Sequence, residues 1–332
     1  MEVWLHAFAF PGKVAAGSRA AERAGYTGML VADSQNFNAD VWIELALAAA
    51  ATERLRLGTG VTNPATRHPA VTASAAATLQ EESGGRAVLG LGRGDSALSQ
   101  IGREPVPAAE FEAGLERIQG FLRGETVELE DGTPSTIGWI AESEQPKVPT
   151  FVAATGPRVI AAAARHAEAV DFTVGAEPER LAWAIGKARE IEREMPLSLG
   201  AFVDVAVDPD RATARDLVRG STAILARFGT EGAPADGLSE VTAEGIERLG
   251  AAYEEARHGQ SAAPAAQQLS DEFIDRFAVC GSAEEVAERL LALGELGLER
   301  IVVVPGSLDA DPAALAASNE RFATEVLPRL LG

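Results

Sequence analysis

The chain has 332 residues, 46% of them hydrophobic and 23% charged, with 29 Lys and Arg against 49 Asp and Glu, a formal net charge of −20. The apolar content excludes wholesale disorder, and no charge-free apolar window approaches the ~18 residues of a membrane span. So acidic a surface argues against nucleic-acid and anionic-membrane partners. One cysteine, Cys280, and four scattered histidines leave no disulfide and no thiol or HExxH-type metal site, so no metal is expected and a cytoplasmic location is the default.

Short β-branched or apolar runs alternate with Ala-rich helical stretches. The N-terminal residues carry no basic leader pattern and read directly as a strand over 3–10. A helix follows over 13–24, closed by Gly25 as C-cap. The next strand spans 28–32 and ends at Asp33, and a helix over 39–52 takes Asn38 as N-cap. Strand 54–61 precedes helix 69–82, and strand 86–91 runs into the turn Gly92-Arg93-Gly94-Asp95. In 107–123, Phe111, Leu115, Ile118 and Leu122 recur at helical spacing. The rhythm breaks over 124–148, where runs 127–129 and 136–140 flank an Asp-Gly pair and predict a hairpin. It resumes with strand 150–153, helix 157–166, strand 169–174, helix 178–194, strand 197–207 and helix 209–227. Residues 229–271 are Gly/Ala/Pro-rich and read as a helical insertion, after which come helix 283–296, strand 300–304 and helix 312–330.

Eight strands, each followed by a helix, with insertions after the fourth strand and before the last βα unit, predict one α/β domain over 1–332, a (β/α)8 TIM barrel. A doubly wound sheet would want a glycine fingerprint after the first strand, and Pro11-Gly12-Lys13 is not one. In a barrel the chemistry sits in the loops after the strands, here 6–11, 33–36, 60–67, 92–98, 155–158, 175–177, 204–209 and 305–308.

Three segments stand out. In 57–64 (LGTGVTNP), two glycines at a strand end mark a bulge or the close approach of something flat. Thr62 and Asn63 there carry donors and acceptors suited to the edge of a heterocycle. The other reading is a bulge followed by a Pro-initiated helix. In 90–96 (GLGRGDS), Gly94 and its neighbours permit positive φ, and Asp95 and Ser96 stand at the mouth beside Arg93. Without a Gly-Lys-Ser/Thr ending this is no P-loop, and a salt-bridged loop is the alternative. In 154–158, Gly156 and Pro157 open a helix whose free N–H groups, with Thr155 and Arg158, suit a phosphate, or simply cap a helix. Together they describe a mouth able to hold a planar, phosphorylated ligand.

The stretches 58–73 (GTGVTNPATRHPAVTA), 82–98 (ESGGRAVLGLGRGDSAL) and 277–284 (FAVCGSAE) resemble the bacterial luciferase-like superfamily, in particular its F420-dependent branch, typified by methylenetetrahydromethanopterin reductase. The resemblance runs over nearly the whole chain. It implies a (β/α)8 barrel, usually a homodimer, that binds coenzyme F420 or FMN at its mouth and acts on a small-molecule substrate. It further implies a cis peptide at Gly60–Val61 backing the tricyclic ring, Thr62 and Asn63 at the pyrimidine edge, and a cofactor phosphate on Thr155, Gly156, Pro157 and Arg158. Asp95 matches an acid near the redox carbon, and Asp33 the acid after the second strand. Ser34 stands where the family often has histidine, and His6 where the branch carries an acid, so both departures fall around the substrate.

The reading is an F420-dependent hydride-transfer oxidoreductase. Its alternatives are an FMN-dependent monooxygenase using O2 and a non-catalytic binding barrel, while a hydrolase lacks any Gly-x-Ser-x-Gly elbow. Cys280 reads as a small buried hydrophobe. Arg67 could meet an anionic cofactor tail, and Trp139, in the hairpin insertion, could shape the substrate pocket.

Overall fold

In a computed structural model, residues 1–230, 236–254 and 257–332 are described. Part of the insertion expected over 229–271 therefore lies outside the described residues. Eight parallel strands close on themselves: β1 Glu2–Phe8, β2 Gly28–Ala32, β3 Arg56–Thr59, β4 Ala87–Leu91, β5 Thr150–Ala154, β6 Ala169–Phe172, β7 Ser198–Val207 and β8 Arg300–Val304. Neighbours pair in chain order, β8 pairs with β1 from Glu2 and Arg300 onward, and β6 with β7 closes the ring through Ala169 and Ser198. Strands buried on both faces read as unbroken apolar runs, which is why 28–32 (GMLVA) and 301–304 (IVVV) were legible. Helices on the outside bury their apolar faces on the strands, forming the main core.

The base of the barrel is plugged by an ion pair. Arg300 Nε and Nη2 donate to Asp171 Oδ1 at 2.9 and 2.7 Å, both side chains being 2% exposed. The Arg300 guanidinium also lies 4.1 Å from the centre of the Phe151 ring.

Several boundaries depart from the pattern. Asn38 is not the cap of the second helix. Helix Val41–Ala51 begins later, and Asp40 accepts from the Trp42 and Ile43 N–H groups at 3.0 and 3.2 Å. In the hairpin, Val127–Glu128 pairs with Pro134–Ser135, because Asp131 accepts from Thr133 N–H and tightens the turn. The run expected as strand over 136–140 instead leads into a 3-10 helix, Gly138–Glu142, so Trp139 is 40% exposed and borders a separate small hollow. It does not shape the main cavity. Between β7 and β8 stand helices Arg211–Arg227, Glu240–Ala252, Pro264–Gln267, Asp271–Phe277 and Ala283–Glu295, and strand Val279–Gly281, which pairs outside β7. Cys280 is buried there, and burial pushes its thiol up to about 11.

Candidate active site

The strand C-termini surround a cavity of about 750 Å³. Its wall is built by the loops after β3, β4 and β5 together with Phe8 from β1, Phe202 from β7 and Ile224, Leu225 and Phe228 from the end of helix Arg211–Arg227 and the turn beyond it. Ser34 and His258 also line it.

Val61 follows β3 and projects into the cavity wall, and the Gly60–Val61 peptide is cis. Glycines at the end of β4 and in the loop after it leave room for this segment. A Cβ on Gly92 would stand 2.7 Å from Val61 Cγ2, closer than carbon atoms pack. Gly94 has φ +81°, a conformation open to glycine at little cost, and a Cβ there would meet Asn63 at 2.7 Å.

Thr62 and Asn63 are corrected by the structure. Both are buried and absent from the cavity wall. Thr62 N–H donates to Gly90 O and its hydroxyl to Asp33 Oδ2 at 2.6 Å, while Asn63 Oδ1 accepts from the Ala65 and Thr66 N–H groups at 3.0 and 2.8 Å. The Thr62 hydroxyl and Asn63 Oδ1 thus serve the loop's own shape, while Asn63 Nδ2 is buried without a partner. Asp33 is likewise behind the wall, 2% exposed, bound by Thr62, by Gln35 Nε2 at 2.8 Å and by the Arg67 guanidinium. Arg67 also pairs with Asp40 at 3.0 Å, so it is engaged within the fold and not held ready for a cofactor tail.

Asp95 does line the cavity, but Arg93 is not its partner. Arg93 Nε donates to Val106 O at 2.6 Å, whereas Asp95 Oδ1 lies 2.8 Å from Arg227 Nη2. The Arg227 guanidinium sits 4.9 Å from the centre of the Tyr253 ring and reaches Ser96 Oγ at 3.4 Å. This pair ties the loop after β4 to helix Arg211–Arg227 across the mouth. Proton donation by Asp95 would have to break it.

His6 Nε2 is 2.8 Å from Gly60 O, and since a carbonyl only accepts, Nε2 carries the proton. Its Nδ1 is buried without a partner. Burial holds the imidazole below its ordinary pKa despite the raising effect of the Gly60 carbonyl, so the ring is a neutral acceptor at pH 7. His258 lines the same cavity, with Nδ1 2.7 Å from Tyr253 Oη and its ring stacked on Phe37 at 5.4 Å. Burial, assisted by the Arg227 charge, lowers its pKa to about 4.

Helix Pro157–His166 starts at Gly156 with no side-chain cap. Its first-turn N–H groups have no partner within the helix, and Thr155, Gly156, Pro157 and Arg158 all border the cavity. Thr155 Oγ1 is 2.7 Å from Thr173 Oγ1. An anion fits this end.

A family described as luciferase-like monooxygenase matches residues 10–300. The chain belongs to that family. Among its relatives, 5,10-methylenetetrahydromethanopterin reductase of Archaeoglobus fulgidus is 31% identical over 299 residues, 85% of this chain and 86% of the other. F420-dependent glucose-6-phosphate dehydrogenase of Beutenbergia cavernae is 33% identical over 301 residues, 86% and 81% of the two chains. The solved structure of the coenzyme F420 dependent tetrahydromethanopterin reductase of Methanopyrus kandleri superposes with a TM-score of 0.73 at 25% identity, covering 98% of both chains.

Within this luciferase-like barrel, sequence reading missed the residues contributed from beyond β7. Arg227, Phe228, Tyr253 and His258 carry no motif, and nothing local marks them as facing Asp95. Asp204, read as the start of a loop, is inside β7. An acid within an otherwise apolar strand was the available signal.

Proposed function

We propose that this chain is an F420-dependent oxidoreductase exchanging a hydride between deazaflavin carbon 5 and a small, largely apolar carbonyl compound or its alcohol. The observation that carries the reading is one cavity whose lining combines Val61 and the open helix start at Gly156–Arg158 with the apolar side chains of Phe8, Phe202, Ile224, Leu225 and Phe228. The residues present fit the cofactor: the first-turn N–H groups and Arg158 would hold its phosphate, and Val61 would back its ring. Bound there, F420 supplies two-electron hydride chemistry. The chain's own part is to exclude water with these apolar side chains, to orient the reacting partners, and to accept a hydrogen bond at His6 Nδ1. A homodimer and a cytoplasmic location belong to the same reading, the latter in keeping with a lone, buried thiol.

Two measurements test it. Fluorescence titration should show F420 binding tighter than FMN; tight FMN binding with none of F420 would overturn the reading in favour of a flavin enzyme. Reduced F420 should then be oxidised with cyclohexanone, 2-cyclohexenone or acetophenone, and Asp95→Asn should slow that turnover. Binding of F420 with no turnover in either direction would leave a cofactor-binding barrel.

A further inference from the structure

Asp204 lies in β7 in register with Val304 of β8. Strand alternation puts it on the same face as Phe202, and Phe202 and Val304 both line the cavity. Its side chain is fully buried, and neither carboxyl oxygen has a hydrogen-bond partner, nor does the buried Thr222 Oγ1. The polar groups facing it are the Ser221 and Thr222 hydroxyls of helix Arg211–Arg227, neither in hydrogen-bond geometry with it in this structure, and among the described residues no cation acts on it. Ser221 is itself a cavity residue whose Oγ donates to Val218 O at 3.0 Å, leaving its lone pairs open to accept.

We propose that Asp204 is the proton reservoir of the site, delivering its carboxyl hydrogen through the Ser221 hydroxyl to the oxygen of the bound carbonyl. The proposal rests on the hydride-transfer reading above. The carbonyl carbon takes a hydride from reduced F420, and its oxygen takes the Ser221 proton once that hydroxyl has turned from Val218 O toward the substrate. Ser221 takes the Asp204 proton, and the carboxylate regains one from water once the alcohol has left. Of the other groups at the cavity, Asp95 is engaged by Arg227, His6 has its one N–H on Gly60 O, and burial keeps the His6 and His258 rings neutral at pH 7. Asp204 has the opposite bias, since burial raises its carboxyl to about 7.

The test compares wild type, Asp204→Asn and Ser221→Ala with cyclohexanone and reduced F420. Wild-type kcat should be level in acid and fall as pH rises through about 7, as the acid loses its proton. Both variants should lose that inflection and at least about tenfold in kcat at pH 6, a modest share of what general acids contribute, with F420 affinity unchanged. A readout free of turnover is the melting temperature of the protein alone. A carboxyl raised from 3.8 to about 7 on folding contributes stability that is lost as pH climbs between those values. The wild type should therefore lose melting temperature relative to Asp204→Asn from pH 4 to 7. Parallel melting curves, or an inflection retained in both variants, would overturn the reservoir alone. Failure of wild type to oxidise reduced F420 with any of the three carbonyls would overturn the functional reading and the donor role with it. Should Asp204→Asn fail to fold, Ser221→Ala decides the kinetics.

Discussion

A carboxylate as buried as that of Asp33 needs partners, and Thr62, Gln35 and Arg67 provide them. The arrangement explains why an acid at the end of β2 need not touch substrate: it holds the loop after β3 in place, and that loop places Val61. Asp33→Ala leaves Thr62 and Gln35 without an acceptor and Arg67 with Asp40 alone, so urea denaturation should show a loss of about 2–3 kcal/mol. A variant of wild-type stability that nonetheless lacks turnover would instead restore Asp33 to the chemistry. Gly92 is the complementary case, where function depends on an atom being missing. Gly92→Ala should displace Val61 and weaken F420 binding in the fluorescence titration more than it lowers the melting temperature.

Between elements, the decisive contact is the Asp95–Arg227 pair. With side-chain exposures of 20% and 11% it is sheltered enough to matter, unlike the outer ion pairs. It joins the loop after β4 to helix Arg211–Arg227, whose last turn supplies apolar wall to the same cavity. Arg227→Met keeps much of the packing against Tyr253 and removes the tie. The expected result is a several-fold rise in KM for the carbonyl with F420 affinity little changed; equal losses of both would show that the pair supports the whole mouth. The long excursion between β7 and β8 thus has a local purpose, since it brings Tyr253 and His258 over the same opening.

For the molecule as a whole, stability and chemistry occupy opposite ends of the barrel. The Asp171–Arg300 pair closes the base, and truncating one partner leaves a charge buried without compensation. Asp171→Ala should lower unfolding free energy by about 3–5 kcal/mol in urea titration, while the folded fraction binds F420 as before. A matching loss of affinity would mean the two ends are coupled. The net charge of −20 is spread over a surface that repels anions, yet the helix start at Gly156 offers an anion uncommitted N–H groups close at hand. How much of this could be read in advance follows from the range of each interaction. The eight strands, most helix limits, the Gly25 cap and the glycine-rich walls are local, because periodicity, capping and close approach act over a few residues. Thr62 and Asn63 lie in the expected loop but outside the cavity wall, since a polar side chain meets a buried carboxylate or loop backbone as readily as a ligand. Sequence alone determined the barrel and the loops at its mouth. Tertiary structure alone decided which of their side chains face the cavity, that Asp204 is buried without a hydrogen-bond partner and that Arg227 grips Asp95 from 132 residues away, because pairing and burial depend on distant chain segments meeting when the ring closes.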